Sequence, residues 1–82
     1  MIKVLFFAKL SEQLGCRELQ VDATAVENTD QLFQYLIEHK AEWSTILTSQ
    51  LCLKAVNQAM VNDNVLLKDG DEVAYFPPVT GG

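Results

Sequence analysis

Lys68-Asp69-Gly70-Asp71-Glu72-Val73-Ala74-Tyr75-Phe76-Pro77-Pro78-Val79-Thr80-Gly81-Gly82 runs from a tight turn through an apolar strand into a proline-led tail. Asp and Gly are the turn formers here, and the apolar run from Glu72 to Phe76 reads as a strand. Pro77 lacks a backbone N–H and cannot continue a ladder, while Pro78 favours an extended polyproline conformation. Residues 1–76 therefore read as the folded domain and residues 77–82 as an extended tail. From Pro78 onward, at about 3.1–3.6 Å per residue, the tail reaches roughly 15–18 Å beyond the fold. That is long enough to thread into another protein. Gly81 and Gly82 have no Cβ and can enter a slot too narrow for side chains, which leaves the terminal carboxylate as the obvious chemical group. A frayed chain end is the competing reading.

Working outward, Ile2 to Ala8 is rich in β-branched and aromatic residues and reads as a strand. Alternation puts Ile2, Val4 and Phe6 on one face and Lys3, Leu5 and Phe7 on the other. If the first set faces the core, either Leu5 and Phe7 are covered too or they meet a partner. Lys9 to Leu14 reads as a short helical turn ended by a left-handed Gly15. Arg17 to Asp22 alternates as a half-buried strand does, with Leu19 and Val21 inward, and is close enough to the first strand to pair with it antiparallel. Asn28 and Thr29 offer N-caps, with Gln31 placed as in a capping box, for a helix to about Lys40. Its stripe of Leu32, Phe33, Leu36 and Ile37 is core, and Trp43, Ile46 and Leu47 extend the spacing into a shorter helical segment. Leu51 to Val56 reads as a third strand with Lys54 marking its wetter side. Asn57-Gln58 is a turn, and Met60-Val61 a brief fourth strand.

With 82 residues, of which 49% are hydrophobic and 21% charged, the chain has a globular balance and room for one small core. A net charge of −5 argues against a nucleic-acid surface and suits steering toward a basic protein partner. No stretch reads as membrane-spanning and no cleavable leader follows Met1, so a cytoplasmic protein is expected. Cys16 and Cys52 match no metal-ligand spacing and are expected as free, buried thiols. His39 stands alone near a helix end, where a structural role is expected. No metal or bound cofactor is indicated.

The element order is strand, strand, long helix, strand, short strand, strand. It predicts an α+β β-grasp: a mixed sheet packed on one main helix, with the first and last strands parallel in the middle. A ferredoxin-like split βαβ fold would need a second long helix among the later strands, where Leu66-Leu67 leaves too little chain.

Three stretches carry a family resemblance: MIKVLFFA at the start, AVNQ at Ala55 to Gln58, and DGDEVAYFPPVTGG at Asp69 to Gly82. In these the chain resembles the small, sulfur-carrier subunits of bacterial molybdopterin synthase. The resemblance implies a ubiquitin-like fold and a sulfur-donor subunit of a heterotetrameric synthase whose catalytic groups lie on the large subunit. It also implies a second partner, an ATP-dependent adenylyltransferase of the ubiquitin-activating type. ATP is then used by that enzyme and is not bound here. Carried onto this sequence, Gly82 bears the adenylate and then a thiocarboxylate, and Gly81 serves threading. Pro77, Pro78, Val79 and Thr80 follow the tail into the large subunit. Phe7, Met60 and Phe76 are candidates for an apolar patch against that subunit, with membership of the core as their alternative. Asp69, Asp71 and Glu72 either dock on the activating enzyme or form and solvate their turn. Ser11 stands where the family often has arginine before Glu12, which removes one basic contact. A carrier for another pathway such as thiamine synthesis, a ubiquitin-like protein modifier and an inert binding module remain the alternative functions.

Overall fold

The computed structural model describes residues 1–78. Among these, five strands form one sheet: β1 (Ile2–Phe6), β2 (Glu18–Val21), β3 (Leu53–Val56), β4 (Ala59–Val61) and β5 (Glu72–Phe76). Three helices accompany them: α1 (Ala8–Leu14), α2 (Thr29–His39) and α3 (Ala41–Thr48). The sheet order is β2-β1-β5-β3-β4. β1 and β5 run parallel, with Val4 beside Val73 and Phe6 beside Tyr75, and the other neighbours are antiparallel. The β-grasp expectation holds, including the parallel pair at its centre.

Local chemistry explains the element ends. Gly15 closes α1 at φ 67, a left-handed angle that costs a residue without Cβ little, and Cys16 N–H returns to the Ser11 carbonyl at 3.1 Å. Asn28 caps α2 by accepting from Gln31 N–H at 2.8 Å, while Gln31 Oε1 reaches back to Glu27 N–H at 2.8 Å. Asn57 and Gln58, at φ 50 and 70, make the two-residue hairpin between β3 and β4, a geometry whose twist suits paired strands.

One face of the sheet carries the core. Ile2, Val4, Phe6, Val21, Val56, Val73 and Tyr75 point inward against Leu32 and Leu36 of α2 and Trp43 and Leu47 of α3. Phe6 meets Trp43 edge-on, with centroids 5.3 Å apart, which ties the third helix to the sheet centre. His39 ends α2 with its ring 6.1 Å from Tyr35 and 5.1 Å from Trp43, a packing role. Cys16 and Cys52 are free, but half-buried where full burial was expected.

Lys54 does not mark the wetter side of β3. It pairs with Tyr75, and Val56 pairs with Val73, so both point to the helix side. Leu53 and Ala55 take the outer face. A long aliphatic stem lets lysine lie along an apolar edge, so its charge is a poor guide to the face it occupies.

Asp71 is buried in the turn that starts β5. Its carboxylate accepts from Asn57 Nδ2 at 3.1 Å and from Lys68 N–H at 2.9 Å, and Glu72 N–H donates to Asn57 Oδ1 at 3.0 Å. The hydrogen bonds from Asn57 and Lys68 hold this carboxyl below its ordinary value of 3.8. A depressed folded-state pKa adds stability that is present above the unfolded-state value and is lost as pH falls through the folded-state one. Asp71→Ala is therefore expected to cost about 1–3 kcal/mol in urea unfolding at neutral pH. The gap from the parent should close below about pH 4, and a constant gap would show that the carboxylate charge is not involved.

Candidate functional site

The outer face of the sheet, away from the helices, is built by the same alternation that fills the core. The strand registers place Glu18, Leu5, Ala74, Ala55 and Met60 in one row across all five strands. Phe76 and Leu53 form part of the next row. Phe7 lies beside them, because its N–H donates to the Tyr75 carbonyl at 3.1 Å and so continues the β1–β5 ladder by one residue.

Ala8, directly after Phe7, has φ 55, a left-handed angle uncommon for a residue with Cβ. Here the chain turns from β1 into α1 and leaves the Phe7 ring uncovered, 48% exposed. Met60 is 58% exposed. Between these larger residues Ala74 and Ala55 form a low floor. The result is a groove of about 830 Å³, walled by Leu5, Phe7 and Phe76, with Gln58 and Glu72 at its polar edge. Pro77 and Pro78 line it too, so the chain leaves the sheet along this groove.

The face thus brings together Phe7, Met60, Phe76, Pro77 and Pro78, five of the residues singled out from the sequence. Phe7 and Met60 belong to the surface, not the core, and Phe76 is half-buried at its margin. Val79, Thr80, Gly81 and Gly82 lie outside the described residues. Ala55 and Ala74 were missed, since an alanine in a strand has no pattern of its own and acquires meaning from the neighbours that register gives it. The acidic group separates: Asp71 is committed to its turn, Asp69 pairs with the Met1 ammonium, and Glu72 rims the groove. Among the described residues, no group of three or more His, Cys, Asp or Glu is placed to hold a metal ion, and no helix is long and apolar enough to cross a membrane.

A five-stranded mixed sheet grasping α2, with β5 at its centre and Pro77 and Pro78 leaving it beside an apolar face, defines a ubiquitin-like β-grasp protein. Haloferax volcanii SAMP1 shares this fold at a TM-score of 0.79, over 99% of this chain and 98% of its own, at 24% sequence identity. The ThiS family model matches residues 4–82, and the chain belongs to the ThiS family. The molybdopterin synthase sulfur carrier subunit of Escherichia coli (strain K12) is 44% identical over 82 residues, with both chains covered in full. A complex of subunits 1 and 2 of the molybdopterin-converting factor from Helicobacter pylori 26695 contains a chain that superposes at a TM-score of 0.72 and 27% identity, over 99% of this chain and 97% of that one.

The face assignment has a direct check in chemical denaturation. Phe7→Ser and Met60→Ser should each change stability by less than about 1 kcal/mol, as exposed substitutions do. Phe6→Ala, one residue away on the buried face, should cost about 3–5 kcal/mol. Comparable losses at Phe6 and Phe7 would place Phe7 in the core.

Proposed function

We propose that this protein is the sulfur-carrier subunit of a molybdopterin synthase. The observation that carries this reading is similarity to a carrier subunit over the whole of both chains, joined to a groove on the apolar sheet face that Pro77 and Pro78 line as the chain leaves β5. A rigid domain with an exposed apolar face suits docking to a larger catalytic subunit, and a slim terminus suits delivery into that subunit's site.

The chemistry belongs to Gly82. Its carboxylate is a poor acceptor until an oxygen becomes a leaving group. An adenylyltransferase of the ubiquitin-activating type supplies this: a carboxylate oxygen attacks the α-phosphorus of ATP, forming the acyl adenylate and releasing pyrophosphate. Sulfur delivered as sulfide then attacks the carbonyl carbon, AMP leaves, and the thiocarboxylate remains. In the large subunit that sulfur replaces an oxygen on a carbon of cyclic pyranopterin monophosphate, the oxygen leaving as water; a second water then cleaves the bond between sulfur and the Gly82 carbonyl, restoring the carboxylate, and two such deliveries build the dithiolene. The net charge of −5 supports steering toward basic surfaces on these partners. Gly81 gives the last peptide room to pass a narrow channel.

Incubation with ATP, the activating enzyme and a sulfur source should raise the intact mass by one oxygen-to-sulfur exchange. Deleting Gly82, or extending the chain beyond it, should abolish both that shift and complementation of cofactor synthesis. An unchanged mass with competent enzymes would sink the reading, and a ladder of lysine conjugates would favour a protein modifier. Phe7→Ser combined with Met60→Ser should weaken capture by the large subunit at least tenfold while the fold persists. Undiminished capture would move the docking surface elsewhere.

A further inference from the structure

The chain has two methionines, Met1 and Met60, and both are exposed, at 56% and 58%. Methionine in a folded domain commonly fills irregular gaps in the core, and neither of these does. Met60 is the central residue of β4, the last strand in the sheet order, so no further strand of the sheet lies beside it. Its ladder partner is Ala55, which in turn pairs with Ala74. Two alanines are too short to cover a side chain of methionine's length, and the residue stays open to small reagents in the free protein.

Met1 stands at the other end of the sheet. Its carbonyl accepts from Gly70 N–H at 3.0 Å, in the turn before β5. It precedes Leu5, which shares the row of Met60, Ala55 and Ala74, by four residues, and at about 3.3 Å per residue that separation is about 13 Å. Between them lies a charged strip. Lys3 pairs with Glu72 across the β1–β5 ladder, and its ammonium is 4.0 Å from Glu18 Oε1. The two thioethers are thus equally open, but Met60 belongs to the apolar part of the outer face and Met1 does not.

A thioether carries its lone pairs at every pH, so it reacts with peroxides without first losing a proton. Oxidation turns a flexible apolar side chain into a polar, chiral sulfoxide. Pressed against an apolar partner surface, the sulfoxide oxygen gives up its water and gains no donor in return. We propose that Met60 is an oxidation site that governs docking through the outer sheet face: its sulfoxide blocks capture by the large subunit, and Met1 sulfoxide does not. The inference rests on the docking role given to this face above. The oxidant is a peroxide. A sulfur lone pair of Met60 attacks one oxygen of hydrogen peroxide, the S–O bond forms as the O–O bond breaks, and the departing hydroxide takes the proton of the transferred oxygen and leaves as water. Sulfur gives up two electrons, and the peroxide gains them. A methionine sulfoxide reductase reverses the step, two thiols becoming a disulfide while the oxygen leaves as water.

The test treats the whole chain with hydrogen peroxide and then with dithiothreitol, which returns sulfenic acids and disulfides at Cys16 and Cys52 to thiols and leaves sulfoxides in place. Peptide mass spectrometry reads the two methionines separately. Sulfoxide at Met60 should weaken capture by the large subunit by about tenfold or more, and methionine sulfoxide reductase should restore it. In Met60→Leu the same treatment oxidises Met1 alone of the two, and the treated and untreated variant should bind within about twofold of each other. Bound to the large subunit, Met60 should be oxidised about tenfold or more slowly than in the free chain, with the rate at Met1 unchanged. Equal capture of the Met60 sulfoxide, a peroxide effect that persists in Met60→Leu, or equal oxidation of Met60 in free and bound protein would each overturn the proposal. Untreated protein that fails to bind the large subunit would instead overturn the docking role itself, and this inference with it.

Discussion

The parallel ladder between β1 and β5 is the contact on which the rest of the molecule depends. It joins the two ends of the described chain, with Lys3 beside Glu72 and Phe6 beside Tyr75. Together the two strands present Ile2, Val4, Phe6, Val73 and Tyr75 to the helices, the larger share of the sheet's buried side chains. Every other element is arranged around this pair: β2 and β3 flank it, and α2 lays Leu32 and Leu36 across its inner face. A pairing between residues some seventy positions apart closes a long loop before it gains contacts, which makes it intrinsically slow to form. It also determines where the chain end emerges. Because β5 is central, Pro77 and Pro78 leave between Phe7 and the β3 side of the sheet, so the exit and the apolar groove coincide.

Asp71 and Asn57 hold that arrangement in register. Asp71 ties the 68–71 turn to the β3–β4 hairpin through Asn57, its own carbonyl accepts from Lys3 N–H at 3.0 Å, and Gly70 N–H donates to the Met1 carbonyl at 3.0 Å. Three segments distant in sequence are thereby fastened at the end of the sheet opposite the tail. An acidic residue beside Asp69 and Glu72 looks like part of a charged surface, yet one of the three is an internal brace. The distinction rests on hydrogen-bond geometry, which composition does not reveal.

Features encoded within a few neighbouring residues were legible in the sequence. Gly15 after Leu14, Asn28 three residues before Gln31, and Pro77 after a strand each have a local physical meaning, and the structure places a cap or an end at each. The β-grasp followed from element order, Phe7 was legible as a surface candidate because alternation set it opposite Ile2, Val4 and Phe6, and Met60 became one through the family resemblance. What lay beyond reach depended on register. Lys54 pointed the wrong way as a guide, since its neighbour across the ladder is Tyr75. The alanine floor of the groove is made by strands that meet after folding, and no single stretch records it.

The alternation along β5 shows how two unrelated surfaces fit on one strand. Val73 and Tyr75 point to the helices, and Glu72, Ala74 and Phe76 point away. A shift of one residue would exchange the two sets, bringing Glu72 and Phe76 into the core and setting the Tyr75 ring on the groove floor where Ala74 now lies. The groove and the core are therefore alternatives of the same strand, separated by one register step. The Asp71–Asn57 brace, immediately before the strand, and Pro77, immediately after it, bound that step from both sides. A slip of one residue would carry Asp71 away from Asn57 and Lys68 and leave its carboxylate without the two donors it now has, so the brace opposes the shift directly.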